Sequence, residues 1–275
     1  MHRAMSHGLH VVRAGRGPTV VLVHGSATDH ATWTIQIASS LTEQVRLVAY
    51  DRRGTGRSPA PAGEAPTIEQ HADDLAALIE AEAAGEGGAA TVVGSSFGAV
   101  VALELCRRWP ARARAAVMIE PPIAADDGAP AVPVGFLPAL DALAASDGPE
   151  AAAERFLRTV LGDAAFERLP RAFQARSKAQ WPQIRGDSLA LAAYRVRYPE
   201  LGAIATPVRL LGGERSAAYF KPTLAALASV LPRAQRVTIT GGGHMLHAEA
   251  PRAFAQQLLA AVADGAVAAG APGAA

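Results

Sequence analysis

The fold class that this sequence predicts is α/β: a mostly parallel central sheet flanked by helices, with a helical cap inserted between two strands. Three observations predict it. Short apolar runs recur along the chain, each closed by turn residues. Helical patterns lie between those runs. From about residue 123 to 205 the rhythm breaks, and helical patterns alone remain. Continuous apolar runs fit strands buried on both faces, as in a parallel sheet. Strand–helix alternation implies right-handed crossovers.

The elements follow in order. Leu9–Val12, turning at Gly15-Arg-Gly-Pro18, reads as an antiparallel edge strand. Thr19–Val23 ends at His24-Gly25, and Arg46–Tyr50 ends at Asp51-Arg-Arg-Gly54. Thr67-x-x-Gln70 has the spacing of a capping box. The helix after it places Ile68, Ala72, Leu75, Leu78 and Ile79 on one stripe. Thr91–Val93 ends at Gly94, and Phe97–Trp109 is a helix closed by Pro110. Ala115–Ile119 ends at Glu120-Pro-Pro122. In the insertion, helical patterns cover Phe136–Ala145, Pro149–Val160, Ala164–Gln180 and Asp187–Tyr194. Half of the chain's aromatic residues fall there. Val208–Leu211 and Arg236–Thr240 are the last strands. Pro222–Val230 and Pro251–Val262 each begin with Pro, suited to a first helical turn. The expected division is therefore a core from 1–122 and 206–264, a cap from 123–205, and a flexible Ala/Gly/Pro tail from 265–275.

Composition excludes several function classes. The chain has 275 residues, half of them hydrophobic and 19% charged, which is enough apolar material for a core. Cys106 has no second Cys, so an internal disulfide and a Cys-based zinc site are out. Basic and acidic residues number 26 and 25 and are interspersed. Nucleic-acid binding needs a basic stripe, and none is visible. No apolar run approaches ~18 residues, so no membrane span is expected. The start, MHRAMSHGLHVV, has no long apolar stretch and no small-residue cleavage site. No signal peptide is expected, and a cytoplasmic location is the default.

Gly94-Ser95-Ser96-Phe97-Gly98 carries the sharpest chemical signal. It is a Gly-x-Ser-x-Gly run after a strand and before a helix, the setting of a nucleophile elbow. Small residues two before and two after leave room for a sharp turn that projects the Ser96 hydroxyl. A serine hydroxyl needs a base within hydrogen-bond reach. His244, just past the last strand, can supply it; His247, three residues on, is the rival. A His244/His247 metal pair lacks a third ligand and the Glu of the zinc-protease pattern, so no metal and no cofactor are expected. His24-Gly25-Ser26 ends a strand, and its loop suits an oxyanion hole. The amides of Ser26 and Phe97 are the candidate donors. His24 reads as a brace for the loop, and Trp33 as core.

Taken together, VVLVHGSATDHATW, AYDRRGTGRS, VVGSSFGAV, IEPP, RLLGGERS and GGGHMLHAEAP resemble the α/β-hydrolase superfamily over nearly the whole chain. The resemblance implies that Asp51–Ser58 is a structural turn. It also exposes a departure. Most members place the triad's Asp where this chain has Ser216, and Ser cannot hold an imidazolium electrostatically. Some relatives, such as haloalkane dehalogenases and zearalenone lactonases, take the acid from the end of the strand after the elbow helix. Glu120 stands there, with Glu214, Asp126 and Asp127 as alternatives.

A serine nucleophile argues against the branches that form an ester on a carboxylate. The expected activity is hydrolysis of a carboxylic ester or lactone through an acyl-enzyme on Ser96. The same triad also suits C–C bond or thioester hydrolysis, acyl transfer and cyclisation. An inactive small-molecule receptor is the remaining alternative, and Ser216 keeps it open. The aromatics of the cap suggest an apolar pocket, with Trp181, Tyr194, Phe136 and Phe156 as candidate substrate contacts. The expected partner is a small ester, lactone or related acyl compound, with no nucleic acid or membrane, bound by a monomer or homodimer.

Overall fold

The computed structural model describes residues 2–59, 65–129 and 133–270. Among them, eight strands form one sheet. In chain order they are β1 (His2–Ser6), β2 (Leu9–Ala14), β3 (Thr19–Val23), β4 (Arg46–Tyr50), β5 (Ala90–Ser95), β6 (Ala113–Ile119), β7 (Val208–Gly213) and β8 (Ala234–Ile239). Their spatial order is β1-β2-β4-β3-β5-β6-β7-β8. β1 and β2 pair antiparallel, as do β2 and β4; the other pairs are parallel.

Alternation along the strands builds the two layers. Val21, Val23, Val48 and Val92 share one core with Ile68, Leu75, Leu78 and Val101 of the helices Ile68–Glu82 and Phe97–Arg108. Val20, Leu22, Leu47 and Val93 face the other way, toward Trp33, Phe254 and Leu258. The period of two in side-chain direction makes each apolar run serve both faces. The Thr67/Gln70 capping box is formed in both directions, at 3.2 and 3.0 Å.

β1 was not expected, because HRAMS has no apolar run. Its signal is the turn instead. His7 and Gly8 join β1 to β2 with φ of 49° and 77°. Two residues with positive φ match the twist of a tight hairpin.

The insertion between β6 and β7 is helical. Its helices are Phe136–Asp147, Pro149–Leu161, Asp163–Glu167, Arg171–Lys178, Trp181–Ala193 and Tyr198–Leu201. The single helix expected over 164–180 is two, because Pro170 lacks an N–H and stands between them. The helix expected from Asp187 begins at Trp181, with Pro182 in its first turn. This cap has its own core of Leu140, Ala152, Leu157, Phe166, Trp181 and Ile184. Ala27 of the loop after β3 packs into it.

The C-terminal end also differs from expectation. Helix Pro251–Gly270 continues eight residues past Val262, into the stretch read as a tail. Ala residues favour helix strongly, and buried Gly265 lies against the Arg114 backbone, where an added Cβ would sit 3.2 Å away. Residues 271–275 lie outside the described ones. By length and mean hydropathy (1.2) this helix reaches what a membrane span needs. Its inner face of Phe254, Leu258 and Ala261 is instead buried against the sheet.

Parallel strands bring their C-terminal ends to one edge, where α/β sheets carry their sites. In this chain that edge receives His24, Ser96, Glu120, Gly213 and the loop bearing His244.

Candidate active site

β5 leads straight into the helix Phe97–Arg108, and Ser96 is the residue between them. Its φ of 53° and ψ of −120° lie in a region that side chains rarely adopt. Such a conformation costs on the order of 1–3 kcal/mol and persists only when its surroundings enforce it. The flanking glycines show what enforces it. A Cβ on Gly94 would stand 2.2 Å from the Gly98 carbonyl oxygen, and one on Gly98 would stand 2.3 Å from that of Val23. Strand and helix meet closely enough to exclude any side chain at either position. The Ser96 amide is fixed by a 2.8 Å bond to the Ile119 carbonyl.

Glu120 directly follows β6 and has a φ of 44°, a second strained residue at the same edge. Its side chain is 1% exposed. One carboxylate oxygen accepts the Gly213 amide at 2.7 Å, which ties it to the end of β7. The other lies 2.6 Å from His244 Nδ1. A carboxylate there fixes the imidazole with its proton on Nδ1. The Phe220 ring stacks on His244 at 4.5 Å and 8° between planes. His244 Nε2 is buried and has no hydrogen-bond partner among the described residues. Ser96 and His244 line one small cavity together.

The alternative acids lie elsewhere. Glu214 is exposed and accepts the Gly241 amide. Asp127 is exposed and caps the Tyr198 amide, and Asp126 is exposed. Ser216 has a buried hydroxyl oxygen with no partner among the described residues. It lines a cavity together with Glu120.

The rival base, His247, packs on Trp33 at 4.6 Å, and its Nε2 lies 3.0 Å from the Thr32 hydroxyl. His24 braces the loop: its Nδ1 lies 2.8 Å from the Gly25 carbonyl and its Nε2 accepts the Arg52 amide. Among the described residues, the backbone amides of Ser26 and Phe97 have no backbone partner. The Phe97 ring is fully buried beneath the Arg52 guanidinium, at 4.1 Å, and against His71. Arg52 itself makes a buried ion pair with Asp187 of the cap. Nothing in the sequence pattern singles out Asp187.

A larger cavity of about 460 Å³ opens beside Ser96. Phe136 and Phe156 line it, with Ile123, Leu191 and Phe220. Trp181 and Tyr194 do not, contrary to expectation. Trp181 is in the cap core, and the Tyr194 hydroxyl donates to buried Glu104 at 3.0 Å. Among the described residues, no charged side chain lines this cavity. His10, His30 and Asp51 each bring a ligand atom within 4.8 Å of the others. Both Asp51 oxygens are already used, one by the amide and ring of His30 and one by the Arg57 amide. The cluster is accounted for as a brace for the turn after β4.

The sequence profile of the alpha/beta hydrolase family matches residues 20–257. This chain belongs to the alpha/beta hydrolase family. Among curated proteins, it is 38% identical over 114 residues to an uncharacterized hydrolase, YraK, of Bacillus subtilis, covering 41% of each chain. It is 37% identical over 119 residues to the lipase LipV of Mycobacterium tuberculosis, covering 43% of each. Both matches span less than half of the relative's own length. Among solved structures, a thermophilic esterase from Thermogutta terrifontis superposes with a TM-score of 0.78 at 23% identity, over 96% of this chain and 99% of that one. The enol-lactonase of Burkholderia xenovorans gives 0.75 at 24%, over 95% and 100%. At such identities these two likenesses show the fold.

This alpha/beta hydrolase buries three histidines near the site. Burial pushes His247 down to about 3 from an ordinary 6.5, helped by nearby His244. Burial, then the Arg52 charge, lowers His24 and His71 as well. These rings are neutral when folded, and the unfolded chain binds their protons more readily. Their contribution is therefore complete above pH 6.5 and is lost as pH falls below it, for His247 toward about 3. For His247 the loss is on the order of 1 kcal/mol per pH unit within that range. Urea melts between pH 7 and 4 should show stability falling from the upper end; a flat profile down to pH 5 would contradict these assignments.

Proposed function

We propose that this chain hydrolyses uncharged carboxylic esters, lactones included, through an acyl-enzyme on Ser96. The observation that carries the reading is the buried 2.6 Å contact of Glu120 with His244 Nδ1, beside an unpartnered Nε2. That pairing leaves Nε2 as the proton acceptor. Nε2 takes the proton of Ser96 as its oxygen attacks the carbonyl carbon. The oxyanion meets the amides of Ser26 and Phe97, each worth roughly 2.7–4 kcal/mol in such sites. His244 then gives the proton to the leaving alcohol. Water, deprotonated by the same nitrogen, releases the acid and restores Ser96.

The apolar cavity supports the substrate class. Its volume of about 460 Å³ holds a medium-length acyl group. An acyl-chain carboxylate would be buried there without a cation, which costs several kcal/mol. The test compares methyl hexanoate with monomethyl adipate in a pH-stat. Hexanoate ester turnover is expected, with kcat/KM about 100-fold higher than for the half-ester. Equal rates would overturn the substrate class, and no turnover of either would count against the reaction.

A further inference from the structure

Helix Trp181–Ala193 of the cap sends two side chains, four residues apart, onto the loop Gly25–Thr28. Residues at that spacing share one helix face. Gln183 donates to the carbonyls of Gly25 at 3.4 Å and Thr28 at 3.1 Å. Asp187 accepts the Ser26 hydroxyl at 2.7 Å. Arg52, whose side chain is fully buried, grips the same carboxylate at 3.0 and 2.7 Å. Its Nη2 also donates to the Gly25 carbonyl at 3.3 Å, and its guanidinium covers the Phe97 ring. Arg52 thus touches both segments that carry the candidate oxyanion-hole amides. Within the loop, between Ser26 and Thr28, Ala27 has a φ of 59°, a left-handed conformation in a residue with a Cβ. A loop so strained keeps its shape only if it is held from outside.

We propose that Asp187 and Arg52 are positioning residues that aim the Ser26 amide, so that the oxyanion hole is complete only with the cap docked. The proposal rests on the ester-hydrolase reading of Ser96. A buried ion pair with apolar replacements of similar size is often dispensable for stability. What this pair adds is direction. Asp187 fixes Ser26 by its hydroxyl, and Arg52 fixes the carbonyl of the preceding residue. The Ser26 amide lies between those two anchors and turns with them. Neither charged group lines the cavities at Ser96, and Asp187 keeps the Arg52 charge paired.

The experiment uses Asp187→Asn and the double variant Arg52→Met/Asp187→Leu, with methyl hexanoate as substrate. Butylboronic acid is the probe of the oxyanion hole, because its tetrahedral adduct on Ser96 needs those amides. 1-Hexanol, which has no charge and no acyl oxygen, is the control for the acyl pocket. In both variants kcat is expected to fall about 30–100-fold, with KM within about threefold of wild type. Boronate affinity should fall by a similar factor and 1-hexanol affinity should hold. The double variant removes both charges, so it keeps a seated cap if Asp187→Asn does not fold. Ser26→Ala, which leaves the ion pair intact, is expected to lose about tenfold in kcat and serves if neither folds. Unchanged kcat and boronate affinity, or a rise in KM alone, would overturn the proposal while leaving the hydrolase reading in place. A wild-type protein with no ester turnover and no boronate binding would overturn both.

Discussion

Glu120→Gln is expected to lower kcat about 10⁴-fold while the protein stays folded. The two ends of this carboxylate do different work. One oxygen must accept the Gly213 amide, at 2.7 Å, and the other faces His244 Nδ1, at 2.6 Å. In a Gln side chain the amide oxygen is needed at Gly213, so its NH₂ group faces His244. The imidazole must then accept at Nδ1 and carry its proton on Nε2. That is the wrong tautomer for taking a proton from Ser96. Size is unchanged, and the Gly213 bond survives, so melting should shift little. Steady-state kinetics with a thermal melt checks both halves. Turnover within tenfold of wild type would remove Glu120 from the mechanism, and a comparable loss in Glu214→Gln would point to the other carboxylate.

Ser96→Ala is expected to cost about 10⁶ in kcat. The substitution removes the nucleophile and little else, because Ala fits the same backbone and leaves the amides of Ser26 and Phe97 in place. Residual catalysis would come from those amides and from substrate binding alone. Binding of hexanoate should be unchanged, which separates a lost reaction from a lost pocket. Retained turnover in a preparation shown free of host esterase would mean that another group attacks.

The elbow was legible because its constraint is steric and local. Gly94 and Gly98 are required by the approach of strand to helix, and that requirement lies within five residues of sequence. The parallel strands were legible because burial on both faces leaves no polar alternation. Glu120 was legible only through the family resemblance, which sets Ser216 where a carboxylate is usual and shows that some relatives take the acid from the end of the strand after the elbow helix. The pairing that ties it to His244 spans 124 residues. Asp187 had no comparable clue, since its partner Arg52 is 135 residues away and an isolated Asp in a helix reads as solvated.

Trp181 and Tyr194 show another limit. An aromatic ring in a cap looks the same in sequence whether it fills the cap core or faces a ligand. Here Trp181 packs inward and Tyr194 spends its hydroxyl on Glu104, leaving Phe136 and Phe156 at the cavity. β1 escaped because its evidence lies in a two-residue turn rather than in apolar residues. The C-terminal helix outran its expected end because Ala needs no amphipathic pattern to extend a helix already seated on the sheet.

The most direct test of a reactive Ser96 is covalent capture with an alkyl fluorophosphonate, read by intact mass and peptide mapping. The relay of Glu120, His244 and Ser96 predicts one adduct per chain, located on Ser96, formed far more slowly in His244→Ala and in Glu120→Gln. An adduct on a different residue, no adduct at all, or labelling of Ser96 at an unchanged rate in both variants would contradict it.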